Sequence, residues 1–237
     1  VFVVLFGILL QRVFYLQIVK GGDYQESFSL KTEREVSVAS TRGNIYDRNG
    51  ELLAYSELSY SVTIQDNGTY ANKTKNPKLN DTIYRLIQLI EKNGDSVVSD
   101  LGIVYSNGHY EYSLEGNSLL RLKADVYGKN KISELTPKQE LATADELMAY
   151  LCGEKKYDIR SSYTKEEQEK YGISASGYTP EEQLKIATIR FGISANNYKR
   201  YVATTVASDV SDETVAAGLE NQSELQGAEI AESSRRV

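Results

Sequence analysis

Two short patterns in this sequence have the spacing of acyl-transfer chemistry. Ser162-Tyr163-Thr164-Lys165 would set a hydroxyl and an amine one helical turn apart. A nucleophilic serine and its lysine stand this way in enzymes that combine S-x-x-K with S-x-N and K-T-G. Ser194-Ala195-Asn196 supplies the second pattern, and K-T-G occurs nowhere. With 23 Ser and 16 Lys in 237 residues, about 1.6 chance copies of S-x-x-K are expected. The first match runs into, and the second lies inside, an internal echo, TKEEQEKYGISASGY followed by TPEEQLKIATIRFGISANNY. Each copy opens on a Thr with Glu-Glu two positions later, which is helix-capping chemistry. The echo predicts two helix-and-turn units, and no residue is assigned a catalytic role.

Other chemistries are bounded by composition. His109 and Cys152 are the only histidine and cysteine, so a histidine-rich or cysteine-based metal site and an internal disulfide are excluded. No phosphate-cradling glycine loop or H-E-x-x-H is present, and no cofactor is indicated. The net charge of -6 argues against a general nucleic-acid binder. His109 reads as an exposed hairpin residue, and Cys152 as a small hydrophobe at a helix end.

STRGNIYDRNGELLAYS, residues 40–56, concentrates the remaining charged and turn-forming residues: Arg42, Gly43, Asp47, Arg48, Asn49 and Gly50. They could form an anion-binding or catalytic loop, or a tight hairpin. Asp47-Arg48-Asn49-Gly50 fits a type I turn closed by a left-handed Gly50, with a two-residue Asn-Gly turn as the competing register. Turn chemistry covers Asp47, Asn49 and Gly50 but leaves Arg42-Gly43 unexplained. A half-buried Arg–Asp pair would fix the orientation of such a hairpin more than it would stabilise it. Arg42 to Gly50 is therefore expected to act as an interdomain clamp.

The elements that must hold this hairpin follow from periodicity. Val36 and Val38, then Tyr60, Val62 and Ile64, alternate with polar neighbours as in strands. Residues 66–78 read as a loop. Leu79, Ile83, Leu86, Ile87 and Ile90 predict an amphipathic helix over 79–92, ended by Asn93-Gly94. GIVYSNGHYEYSL predicts a hairpin with Asn107-Gly108 at its tip, pairing Tyr105 with Tyr110 and Ile103 with Tyr112. One helix is predicted over 138–152, a strand over 201–208 and a short helix from Ser211 to about Asn221. No closing element is read in the last residues.

Val1 to Leu10 is an unbroken apolar run, extended by Val13–Leu16 and Ile18–Val19. About 20 such residues cross a bilayer, so 1–19 reads as the C-terminal part of a transmembrane anchor, with a buried core helix as the competing reading. The one methionine is Met148, so a preceding segment is expected. The fold class is then α+β: a membrane-helix remnant, a β-rich pedestal with hairpins, and an inserted α-helical lobe. The domains read as 1–19 anchor, 20–65 first pedestal part, 66–200 inserted head lobe, and 201–237 a return segment leading towards a further domain.

Three pieces in fixed order carry a family resemblance. RVFYLQIVKGGDY (12–24) resembles the juxtamembrane segment of class B penicillin-binding proteins. RGNIYDRNGELLA (42–54) is similar to their first N-terminal motif, R-G-x-I-x-D-R-N-G-x-x-L-A, at every defined position. The segment 201–237 resembles the stretch leading towards their transpeptidase domain. The resemblance implies a non-catalytic pedestal, or dimerisation domain, of a serine D,D-transpeptidase that cross-links peptidoglycan. It implies a single-pass anchor in the bacterial cytoplasmic membrane with the body on the extracytoplasmic side. The partners it implies are a polytopic glycan polymerase, elongation or division scaffold proteins and a second copy in a homodimer. The long middle segment, 128–198, is closer to elongation-type than to division-type members. The competing reading is an unrelated bacterial surface or adhesion domain on a membrane stalk.

Overall fold

The structure, a computed structural model, describes residues 2–16, 42–66, 74–196 and 202–237. The chain divides into two units, Val1–Ser40 and Thr41–Val237. In the first unit the described element is helix α1, Phe2–Phe14, whose side chains are all exposed. Among the described residues no helix is long and apolar enough to cross a membrane. Val36 and Val38 lie outside the described residues.

The second unit is α+β, and with α1 the described residues hold eight α-helices. Strands β1 (Ile45–Tyr46) and β2 (Leu52–Ala54) form the first hairpin, and β3 (Ser56–Ile64) follows. Helix α2 (Lys75–Lys92) leads to the second hairpin, β4 (Ile103–Ser106) and β5 (His109–Tyr112). Helices α3 (Gly116–Val126), α4 (Pro137–Leu141), α5 (Ala144–Cys152), α6 (Lys165–Tyr171) and α7 (Pro180–Ala195) come next. The chain then returns through β6 (Thr204–Ser208), α8 (Asp212–Glu220) and β7 (Ala228–Arg236).

Strand β3 is the centre of an antiparallel sheet ordered β6-β3-β7. Its expected apolar residues Val62 and Ile64 are buried in the core. Ser61 and Thr63, which point to the other face, are buried as well, so this end of the strand is covered on both faces. The same core takes the predicted stripe of α2, Leu79, Ile83, Leu86, Ile87 and Ile90, together with Leu147, Met148 and Leu151 of α5 and Val206 and Ala207 of β6. Residues assigned by sequence to pedestal, lobe and return segment thus share one hydrophobic cluster.

The predicted hairpin of β4 and β5 has the expected register, Ile103 with Tyr112 and Tyr105 with Tyr110. Both echo units are helices with capping boxes, Thr164 with Glu167 and Thr179 with Glu182. Three expectations are corrected. The α2 helix begins at Lys75, not 79, since Pro77 falls in a first turn whose N–H groups have no intrahelical partner. The helix expected over 138–152 is two helices, because Thr143 and Glu146 form a second capping box after Ala142 leaves the helical conformation. The last residues do hold an element: β7 pairs with β3 from Ser56↔Arg236 to Ile64↔Ala228.

Candidate functional site

The motif at 42–50 folds as a bulged hairpin. The Asp47 carbonyl accepts from the Gly50 amide at 3.1 Å, and the Asp47 amide donates to Glu51 at 2.8 Å. Gly50 has φ 86. This is the type I turn with a left-handed closing glycine, not the two-residue Asn-Gly turn. Asp47 Oδ1 accepts from the backbone amides of Glu51 at 2.7 Å and Asn49 at 2.8 Å, and Oδ2 from Asn49 Nδ2 at 3.1 Å. These bonds, that from Glu51 foremost, hold the carboxyl below its usual pKa. A lowered folded pKa means that the turn gains from Asp47 at neutral pH and loses that gain as acid protonates it.

Arg42 and Arg48 are exposed, and among the described residues neither makes an ion pair. The contact that ties Gly43 to the rest comes from the other end of the unit. Arg236 Nη1 donates to the Gly43 carbonyl at 2.9 Å and to Ser56 Oγ at 3.3 Å. Tyr55 and Val237 exchange both backbone hydrogen bonds, at 3.0 and 2.9 Å. Next to it, Arg235 reaches Asp209 Oδ2 at 2.7 Å and Glu57 Oε2 at 3.1 Å, and Glu57 also accepts from the Tyr55 hydroxyl at 2.8 Å. Two successive arginines of β7 therefore join the hairpin, β3 and the turn after β6. Beside this zipper the hairpin leaves Ile45, Tyr46, Leu52 and Leu53 exposed.

The serine patterns are placed apart from any such arrangement. Ser162 is exposed on the loop before α6, and Lys165 is the first residue of that helix. Ser194 accepts from the Tyr157 hydroxyl at 2.9 Å and donates to the Arg190 carbonyl at 2.9 Å, while Asn196 caps α7. In the first pattern Thr164 caps α6, and in the second Ser194 is taken up by core hydrogen bonding. His109 is exposed beside Glu111 at 2.8 Å. Burial pushes the Cys152 thiol up to about 12, so it is a poor nucleophile. Among the described residues no cluster of His, Cys, Asp or Glu could hold a metal ion.

Residues 37–237 match the family model of the penicillin-binding protein dimerisation domain. The chain belongs to this family. No curated protein matches it. Among solved structures it is similar to penicillin-binding protein 2B of Streptococcus pneumoniae strain 5204, at 17% identity and a TM-score of 0.39 over 84% of this chain. The same protein from strain R6 gives 18% identity and a TM-score of 0.36 over 85%. The chain spans 26% of the length of each. Membership displaces the reading of an unrelated adhesion domain.

In this dimerisation domain the sequence located the hairpin and missed its partners. Arg235 and Arg236 stand in AESSRRV, which has no turn signal and no clean alternation, so nothing local marks them. Only the full-length pairing of β3 with β7 brings them to Gly43 and Glu57. The turn itself gives a direct prediction. Gly50→Val should destabilise the hairpin by about 1–3 kcal/mol, from the cost of a β-branched side chain at positive φ. The strain is purely conformational, since a Cβ at Gly50 meets nothing within 4 Å. Asn49→Ala removes one side-chain bond and leaves both backbone bonds to Asp47, so it should cost less. Amide exchange across 45–54 compares the two, and equal deprotection would remove the left-handed glycine from the account.

Proposed function

We propose that this dimerisation domain is the non-catalytic pedestal of a membrane-anchored peptidoglycan D,D-transpeptidase, and that it sets the position of a catalytic domain beyond Val237. The observation that carries the reading is the zipper between 43–57 and 235–237. It ties Gly43 and Tyr55 to the strand from which a following domain would leave. The clamp function proposed for Arg42, Gly43, Asp47, Arg48, Asn49 and Gly50 then works through the Gly43 carbonyl and the Asp47 turn, with Arg236 as the gripping residue. The exposed apolar helix α1 belongs to the same reading as an anchor in the cytoplasmic membrane, with the second unit on the extracytoplasmic side. Its partners would be a polytopic glycan polymerase, scaffold proteins of elongation or division, and a second copy.

The test uses the full-length protein. Arg236→Ala should lower exchange protection at Tyr55 and Val237 about fivefold, the worth of one hydrogen bond. The double variant Arg235→Ala/Arg236→Ala should weaken peptidoglycan cross-linking in cells while a fluorescent penicillin still acylates the protein. Arg42→Ala should do less than Arg236→Ala. Normal cross-linking and cell shape in the double variant at normal expression would sink the positioning role.

A further inference from the structure

A cleft of about 800 Å³ opens between the N-terminus of α2, the C-terminal ends of α3 and α7, and the loop after α5. Its charge runs against that of the chain. Lys75, Arg121, Lys156 and Arg190 line it against Asp66 and Asp125, in a protein of net charge -6. Lys75 pairs with Asp66 and Arg121 with Asp125. Arg190 donates to Asn76 Oδ1 at 2.7 Å and lies 5.0 Å over the Tyr157 ring.

Lys156 is different. Its ammonium is half-buried and donates to the Val126 carbonyl at 3.1 Å. The rings of Tyr150 and Tyr157 flank it at 5.7 and 5.6 Å. Burial alone lowers its pKa, with no carboxylate opposing it. Val126 closes α3, so its carbonyl is one of the acceptors that a helix end leaves open. Capping therefore uses one of the three N–H donors. A cation taken partly out of water without a counter-charge is costly. A cleft whose cations outnumber its carboxylates concentrates anions. Its volume falls in the range of ligand sites, and Phe191 and Ile193 at the end of α7 give it an apolar wall.

We propose that this cleft binds a carboxylate of a peptidoglycan strand, with Lys156 as the contacting cation and the apolar end of α7 against the neighbouring uncharged part. The choice of ligand rests on the pedestal reading; the cationic cleft does not. The carboxylate could come from the stem peptide or from a peptide-free muramyl sugar, and the experiment separates these sources.

Calorimetric titration of the chain with a soluble disaccharide-peptide fragment should show saturable binding that weakens as salt is raised. The free stem peptide and the peptide-free disaccharide show which source binds, and N,N′-diacetylchitobiose is the uncharged control. Lys156→Met should weaken binding about tenfold, the effect of losing one charged contact, and Lys156→Arg should restore most of it. Thermal melting checks that these variants fold. If Lys156→Met does not, Arg121→Gln, which also lines the cleft, carries the test, with a smaller loss expected. Three results would overturn the proposal: no fragment binding at millimolar concentration, equal binding of the uncharged disaccharide, or unchanged affinity in the folded Lys156→Met protein. The cross-linking defect of the Arg235/Arg236 double variant is read in cells. If that defect is present and no fragment binds, this inference alone fails.

Discussion

Replacing Gly227 by alanine should be among the most damaging single changes in this domain. Gly227 has φ 86, and a Cβ built on it would stand 2.4 Å from the Gln65 carbonyl oxygen. The two residues are held together there, since the Gln65 amide donates to the Gly227 carbonyl at 2.9 Å. The clash is with backbone at the end of the central strand, so no flexible side chain can move aside. Left-handed strain contributes about 1–3 kcal/mol, and displacing β7 from β3 adds to it, so a total of about 3 kcal/mol or more is expected. For a unit of this size that lowers the melting temperature by about 6–12 °C. The control is Gly43→Ala: φ there is not positive and a Cβ meets nothing within 4 Å, so the cost should stay within about 0.5 kcal/mol. Because β7 carries Arg235 and Arg236, Gly227→Ala should also strip exchange protection from Tyr55 and Val237. Urea denaturation of the two glycine variants decides the matter; equal midpoints would mean that the approach of 227 to 65 is relaxed in solution.

What could be read from sequence divides along the range of the interactions. Both hairpins were legible because Asp-Arg-Asn-Gly and Asn-Gly set their turns through their own backbone preferences. The core face of α2 was legible because five apolar residues repeat at helical spacing. The break at Ala142 was written in Thr143 and Glu146, but the longer apolar pattern of 138–152 masked it. Strand β7 was not legible: AEIAESSRR is a strand because β3 offers it a complete partner, not because its residues favour one. The contacts of the first hairpin were half legible for the same reason. Asp47 and Gly50 act within five residues of themselves, whereas the grip on Gly43 comes from Arg236, 193 positions away. The Arg–Asp pair expected in the hairpin is not found among the described residues, and the bond to the Gly43 carbonyl comes from Arg236.

Asp81 is the buried polar residue on which the expected cost is next largest, and it shows how a helix predicted for its apolar stripe is held in place by one buried acceptor. Asp81 Oδ1 accepts from the backbone amides of Ser174 and Ala175 at 3.0 and 2.9 Å and from Ser174 Oγ at 3.0 Å. One carboxylate oxygen thus pins α2 to the segment joining the two echo helices α6 and α7. Asp81 and Ala175 are both buried, so water cannot readily replace the carboxylate. Asp81→Ala leaves two backbone donors without their acceptor and should cost about 3 kcal/mol, from charge-assisted bonds lost and an amide left unsatisfied. Asp81→Asn keeps an acceptor oxygen where Oδ1 stands and loses mainly the charge, so about 1 kcal/mol is expected. Exchange at Ser174 and Ala175 should rise strongly in the alanine variant and modestly in the asparagine variant, while the 45–54 hairpin keeps its protection. If the two variants unfold at the same urea concentration, the charge and not the acceptor geometry is what fixes α2. If neither differs from the parent, the segment between α6 and α7 is held by the packing of Ile173 and Tyr178 alone.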